Sequence, residues 1–189
     1  MYLASTVEAN ELLERDPLAL LIGMMLDQQI PMEKAFTSPD VLRVRIGHEL
    51  DATDLAGYDP AALEAIFTET PALHRFPAAM AKRTQVLCAI VADKYDGDAA
   101  AIWKTAKSGA DLVSRLKELP GFGDQKAKIF AALVAKQLGA RPRGWRESTT
   151  PYGQDGTFFS AADVVDRGSL VKVKAHKKQM KAAAKASTT

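Results

Sequence analysis

The segment Leu18–Leu26 reads LALLIGMML and is apolar on nearly every face of the helix that it predicts. A helix of this kind lies at the centre of a bundle, not on its surface. Asp16 and Pro17 precede it and are typical of a helix N-cap and of the first helical position. Runs of alternating Val, Ile, Thr and Tyr are scarce. The chain is therefore predicted to be all-α.

Similar start and stop signals place the other helices. Asp59 and Pro60 open one helix, and Phe76 and Pro77 open a long one that Gly97 stops. The predicted helices are Leu18–Asp27, Ala61–Glu69, Ala78–Tyr95, shorter ones around Pro39–Ile46, Asp98–Ala106 and Ala110–Lys117, and a last one that Asp124 caps and that ends at Leu138. One domain over residues 1–160 is expected, with an ordered loop at residues 140–160. Residues 161–189 form a basic, Ala/Lys-rich tail whose end, KAAAKASTT, we expect to be frayed or disordered.

Composition excludes several kinds of site. Cys88 is the single cysteine among 189 residues, which excludes a disulfide framework and a four-cysteine iron–sulfur cluster within one chain. The three histidines are isolated, so no metal site is indicated. No signal-peptide pattern opens the chain, and no apolar run approaches the roughly 20 residues of a membrane span. A cytoplasmic monomer without a membrane partner is the expectation.

The net charge of +2 hides an asymmetry along the chain. Residues 1–100 carry 8 Lys or Arg against 16 Asp or Glu, whereas residues 101–189 carry 17 against 7. A basic second half favours a polyanionic partner. The alternative is a solubilising tail, because 7 of the 17 cations lie in residues 167–189.

The segment 111–138 predicts two helices joined by the turn Leu119-Pro120-Gly121-Phe122-Gly123. Pro120 makes the turn rigid, and the two glycines permit positive φ and close approach of another backbone. The second helix points its unpaired N–H groups at the turn, which is a ready site for a phosphate, with Lys126 nearby. A dinucleotide fingerprint would need a third glycine and a preceding strand, and a P-loop would need Gly-Lys-Ser/Thr. A helix–helix turn without a ligand remains open.

Three segments together resemble a known family. They are LPGFG at Leu119–Gly123 followed by Ala127, LLIGMMLDQQIPMEKAF at Leu20–Phe36, and Phe76 with Ala81-Lys82-Arg83 at the start of a long helix. In this order and spacing they resemble the HhH-GPD superfamily of endonuclease III-like base-excision DNA glycosylases, over roughly residues 15–145. The resemblance is closest to a small bacterial group of that superfamily.

The resemblance implies a helix-hairpin-helix fold in which two helical modules flank a cleft for double-stranded DNA. It implies that the hairpin grips phosphates through backbone amides and often holds a monovalent cation by its carbonyls; the single cysteine excludes the iron–sulfur cluster. Gln28 or Gln29 would fill the gap left by an extruded nucleotide; a polar helix end before Pro31 is the alternative. The implied DNA-binding residues are Gln28, Gln29, Leu119, Gly121, Phe122, Gly123, Gln125 and Lys126.

The chain differs from the family at the positions of the catalytic residues. The position of the usual catalytic aspartate falls near Arg143, whose charge would repel a cationic sugar. The lysine of the lyase members falls on Gln125, and Lys126 is about 100° further around the helix, so a lyase activity is not supported. Glu147 and Asp155 are the nearest downstream carboxylates and the candidate catalytic residues, unless both are ordinary solvated loop acids.

The sequence thus predicts a monofunctional DNA N-glycosylase that releases a damaged or mismatched base. A non-catalytic lesion-binding protein on the same fold is the alternative, and a helical protein–protein adaptor is a third class.

Overall fold

The computed structural model describes residues 1–186, and within them the chain is all-helical, as predicted. Asp16 caps the second helix with its carboxylate, which accepts hydrogen bonds from the Leu18 and Ala19 N–H groups. The α-helices are α1 (Val7–Arg15), α2 (Pro17–Leu26), α3 (Met32–Ile46), α4 (Ala52–Gly57), α5 (Pro60–Thr68), α6 (Pro77–Tyr95), α7 (Ala101–Lys104), α8 (Gly109–Lys117), α9 (Asp124–Gln137), α10 (Trp145–Ser148) and α11 (Arg167–Ala186), with a 3-10 helix at Ala161–Asp163.

Helix α2 lies at the centre of the core, as its composition predicts. Each residue of Leu18–Leu26 is buried. Helices α1, α3 and α6 pack around it, and α4 and α5 pack against α6. A second group consists of α7, α8, α9, α10, α11 and the 3-10 helix, centred on α9. None of the helices in the described part of the chain is long and apolar enough to cross a bilayer.

Two predicted helix starts are wrong. Helix α3 begins at Met32, so Pro39 lies inside it and not at its start. The hydroxyl of Ser38 donates to the Lys34 carbonyl beside this proline. Gly123, and not Asp124, is the N-cap of α9. Asp124 lies in the first turn of α9, where its carboxylate pairs with two lysines and does not cap the helix.

The region after α9 contains more helix than predicted, since the loop 140–160 includes the short helix α10. Earlier in the chain, the predicted helix at Asp98–Ala106 is shorter than expected and covers Ala101–Lys104. Residues 167–186 of the expected tail form α11, and residues 187–189 lie outside the described part. The buried ion pair between Lys136 Nζ and Asp163 Oδ1, at 2.6 Å, fastens the 3-10 helix before α11 to α9.

Candidate nucleic-acid interface

A cleft of about 840 Å³ lies between the two groups of helices. The loop between α2 and α3 and the start of α3 form one wall, and the first turns of α9 together with α11 form the other. Its described lining contains two carboxylates, Asp27 and Glu33, against six lysines. These lysines are Lys34, Lys126, Lys174, Lys177, Lys178 and Lys181. The cleft is therefore cationic, although Asp27 and Glu33 come from the acidic first half of the chain.

The hairpin turn lies beside Gln28, which lines the cleft, whereas residues 119–123 are not part of the described lining. Gly121 has φ +82°, a conformation that disfavours other residues, and a Cβ added there would lie 3.4 Å from Met25 Cγ. The side chains of Leu119 and Phe122 are buried, and the Phe122 ring packs edge-on against Phe130. Of the predicted hairpin contacts, the exposed backbone at Gly121 and Gly123 can reach a ligand, whereas the two apolar side chains anchor the turn.

The first turn of α9 has unpaired amides. Gly123 caps it without a side-chain hydrogen bond, and its φ of −71° does not use the left-handed conformation that we expected. Among the described hydrogen bonds, the N–H groups of residues 124–126 have no acceptor, since the first helical bond runs from Ala127 N–H to the Gly123 carbonyl. The carboxylate of Asp124 is balanced by Lys128 at 2.8 Å and Lys117 at 3.3 Å. An anion can approach these amides.

A monovalent cation at the hairpin would be held by carbonyl oxygens of the turn. The Leu119 carbonyl accepts from Phe122 N–H, and the Gly123 carbonyl accepts from Ala127 N–H. Each of these oxygens has a second lone pair, so the predicted cation is compatible with the hydrogen bonds of the turn.

Lys126 lies in the cleft and not on the outer surface. Its Nζ donates to the Met25 carbonyl at 3.1 Å. Burial lowers the pKa of Lys126 to about 8, because desolvation outweighs the attraction of Asp27, and Arg83 and Lys177 lower it further. The 100° offset from Gln125 therefore does not remove this amine from the cleft, because the long side chain crosses to α2.

Gln28 and Gln29 have different environments. The Gln28 carboxamide donates to the Met25 carbonyl at 2.8 Å, and its oxygen accepts from Arg83 at 3.0 Å. Gln29 is exposed and adopts φ +57°, which is uncommon outside glycine. Gln28 is therefore committed to the loop, whereas Gln29 projects from it.

His74 holds this loop from behind. Its Nε2 lies 2.9 Å from the Gln28 carbonyl, and its Nδ1 accepts from the Phe76 N–H at 3.0 Å. These two bonds fit the neutral tautomer with the proton on Nε2. Burial lowers the pKa of His74, which favours that neutral form. This histidine is isolated in the sequence because one of its partners lies 46 residues away along the chain.

Neither predicted catalytic carboxylate lines the cleft. Asp155 is 74% exposed and pairs with Arg146 at 2.7 Å, and this guanidinium lowers the pKa of Asp155. Glu147 is exposed on α10. The loop that carries both does reach the hairpin, since Gln125 Nε2 donates to the Tyr152 hydroxyl at 2.9 Å.

Asp27, Glu33 and the lysines of α11 were not among the residues predicted from the sequence. Asp27 adjoins the two glutamines that were singled out, and it ends α2. The α11 lysines recur at positions i, i+3, i+4 and i+7, which places them on one face of a helix. The tail lacks an apolar stripe, but this basic stripe was a signal that could have indicated the cleft wall.

Comparison of the chain with protein-family models, with curated proteins and with solved structures gives no match. The class that the structure defines is thus an all-α protein with a lysine-lined cleft beside a helix–turn–helix hairpin.

Proposed function

We propose that the protein binds duplex DNA along this cleft and acts as a DNA N-glycosylase on a single extruded nucleotide. One observation carries the proposal. The cationic cleft brings together the unpaired first turn of α9 and the exposed Gln29, which lie almost 100 residues apart in the chain. The unpaired amides of α9 can bind a phosphate, and the side chain of Gln29 can fill the space that an extruded base leaves in the stack.

Phosphate binding follows from the electrostatics of the cleft. Backbone amides at a helix N-terminus and lysine side chains are both common contacts to the sugar–phosphate chain. They ignore base identity and fix the position of the duplex. Binding of this kind weakens steeply with salt, because each phosphate contact releases condensed counterions.

Gln29 is the side chain that we assign to the gap left by the extruded nucleotide. Both polar atoms of the Gln28 carboxamide already have protein partners. Gln28 therefore supports the loop from which Gln29 projects. Filling the gap lowers the cost of removing a base from the stack.

Asp27 replaces Asp155 and Glu147 as the candidate catalytic carboxylate. Breaking an N-glycosidic bond leaves positive charge on the sugar, and a nearby carboxylate stabilises that charge. Asp27 lines the cleft directly before Gln28 and has a half-buried side chain. Asp155 and Glu147 lie outside this lining.

A base-release screen tests the proposal. Duplexes that each carry one deaminated, oxidised or alkylated base are incubated with the protein, and free base and alkali-sensitive strand breaks are measured. We expect release from at least one duplex, a loss of about 100-fold or more in Asp27→Asn, and near-wild-type rates in Asp155→Asn and Glu147→Gln. Full activity in Asp27→Asn would remove Asp27 from the mechanism.

Beyond the monofunctional activity predicted from the sequence, we propose Lys126 as the amine for strand cleavage after base release, in which an imine with the abasic sugar loses a C2′ proton and the 3′ phosphate departs. Its amine, with a pKa of about 8, is partly neutral near physiological pH and can add to the aldehyde of an abasic sugar with loss of water. Borohydride would reduce the resulting imine to a stable protein–DNA adduct. An adduct in wild type and in Lys128→Ala, but not in Lys126→Ala, would establish this step.

A second candidate is a lesion-binding protein without chemistry. It is favoured by the pairing of both cleft carboxylates with lysines of α11, which reduces their ability to stabilise a cationic sugar. Salt-sensitive binding to an abasic-site duplex, with no base released from any duplex in the screen, would support it. Absence of such binding would leave the protein–protein adaptor.

A further inference from the structure

Helix α11 forms one wall of the cleft, and two of its lysine side chains pair with carboxylates of the opposite wall. Lys174 forms an ion pair with Glu33, and Lys177 Nζ lies 3.9 Å from Asp27 Oδ2. The carboxylate side chains are only 19% and 16% exposed, whereas the lysines are 55% and 40% exposed. The acidic partners are thus fixed in the wall, and the basic partners lie on a helix that reaches them from outside.

The attachment of α11 is concentrated in its first half. Val173 is fully buried, Lys172 lies over the Phe158 ring, and His176 stacks on Phe159. From Lys178 to Ala183 every side chain is exposed. The helix is therefore anchored at one end and held across the cleft mainly by the two ion pairs.

The lysines of these ion pairs are open to exchange. Their side chains are about half exposed, so other anions can reach the ammonium groups. Phosphates on a duplex compete well for the same lysines, because the contact also releases condensed counterions from the DNA. The carboxyl groups of Asp27 and Glu33 occupy the places that two phosphates would take on α11.

The spacing of the basic stripe suits a phosphodiester backbone. Lys174 and Lys181 are seven residues apart, or about 10.5 Å along the helix axis. One strand of B-DNA presents a phosphate about every 3.4 Å of duplex axis. The stripe is therefore long enough to meet more than one phosphate of a strand, on the side of the cleft opposite the Gln28–Gln29 loop.

We propose that α11 is a phosphate-binding strap, in which Lys174 and Lys177 exchange Glu33 and Asp27 for phosphates when a duplex enters the cleft. This inference rests on the proposed DNA binding and assigns a second contact surface and a movement to it. It does not depend on base release.

The first test is the salt dependence of duplex binding. The affinity of a fluorescent duplex is measured between about 50 and 200 mM salt for wild type and for Lys174→Ala/Lys177→Ala. The loss of two phosphate contacts should make the negative slope of log affinity against log salt concentration less steep by about 1.8. Lys94→Ala/Lys104→Ala, which removes two lysines outside the cleft, should keep the wild-type slope.

The second test asks whether α11 must separate from the wall that carries Glu33 when the duplex binds. In Glu33→Cys/Lys174→Cys, a short bismaleimide bridges the two elements, and N-ethylmaleimide modifies the same thiols without a bridge. The native Cys88 is fully buried and should stay unmodified. We expect the bridged protein to bind the duplex at least tenfold more weakly than the N-ethylmaleimide-treated protein.

The outcomes separate the two proposals. Wild type without salt-sensitive duplex binding would overturn the proposed function and the strap with it. Normal wild-type binding, with an unchanged slope in Lys174→Ala/Lys177→Ala or equal binding of bridged and unbridged protein, would overturn the strap alone. Circular dichroism confirms that each variant is folded.

Discussion

Placing a negative charge at the start of α9 is the sharpest perturbation of the proposed phosphate site. Gly123 is exposed, its φ of −71° is accessible to any residue, and a Cβ added there meets nothing within 4 Å. As the N-cap, an aspartate at this position would accept hydrogen bonds from the same amides that we assign to a phosphate. Gly123→Asp should therefore leave the fold intact and weaken duplex binding.

The magnitude follows from the distance between the charges. Relative to glycine, an N-cap aspartate changes the free energy of unfolding by only a few tenths of a kcal/mol. A carboxylate about 4 Å from a phosphate is repelled by about 1 kcal/mol in bulk water and about 4 kcal/mol at the effective dielectric of a protein surface. Duplex affinity should thus fall between about 5-fold and about 1,000-fold at low salt.

Gly123→Asn is the matched control, because it caps the same amides without a charge. Fluorescence anisotropy with one duplex at several salt concentrations measures all three proteins, and thermal melting checks their stability. The difference in duplex affinity between Gly123→Asp and Gly123→Asn should become smaller as the salt concentration rises, because salt screens the repulsion and the screening length is about 10 Å at 0.1 M. Equal affinity of the two folded variants would refute a phosphate at this turn.

Three further predictions concern stability and pH. The pKa of Lys126 is about 8 in the folded protein and 10.5 for an ordinary lysine, so the unfolded state binds more protons between pH 8 and pH 10.5. The free energy of unfolding should therefore rise by about 3 kcal/mol as the pH increases over that range. Urea titrations at several pH values measure this rise, and Lys126→Met should abolish it. Gly121→Ala should lower stability by about 1–2 kcal/mol in the same assay, against little change in Gly123→Ala, because only Gly121 has positive φ. Asp163→Asn should lower the free energy of unfolding by about 3–5 kcal/mol, because the buried ammonium of Lys136 loses its negatively charged partner. A decrease below about 1 kcal/mol would contradict a stabilising role of that ion pair.

Local sequence signals predicted the helices well where a cap or a stripe is encoded within a few residues. Asp16 caps α2 as expected. Of the apolar stripe that the spacing predicts on α9, Ala127, Phe130, Ala131 and Val134 are buried, but Leu138 is exposed and Ala132, Leu133 and Ala135 are buried as well. The same signals failed at Pro39, where tertiary packing keeps a proline inside a helix. They also failed for α11, whose regular feature is a basic stripe and not an apolar one.

The amino-acid sequence by itself determined that the chain is helical, that α2 is its centre and that a proline–glycine turn precedes α9, because caps, periodicity and turn chemistry act over a few residues. Only the tertiary structure decided which groups share the cleft. Lys126 meets the Met25 carbonyl across 101 residues of chain, and Lys174 meets Glu33 across 141. Such meetings, and the burial that shifts the pKa of an amine, arise from the packing of whole helices, which a local pattern does not specify.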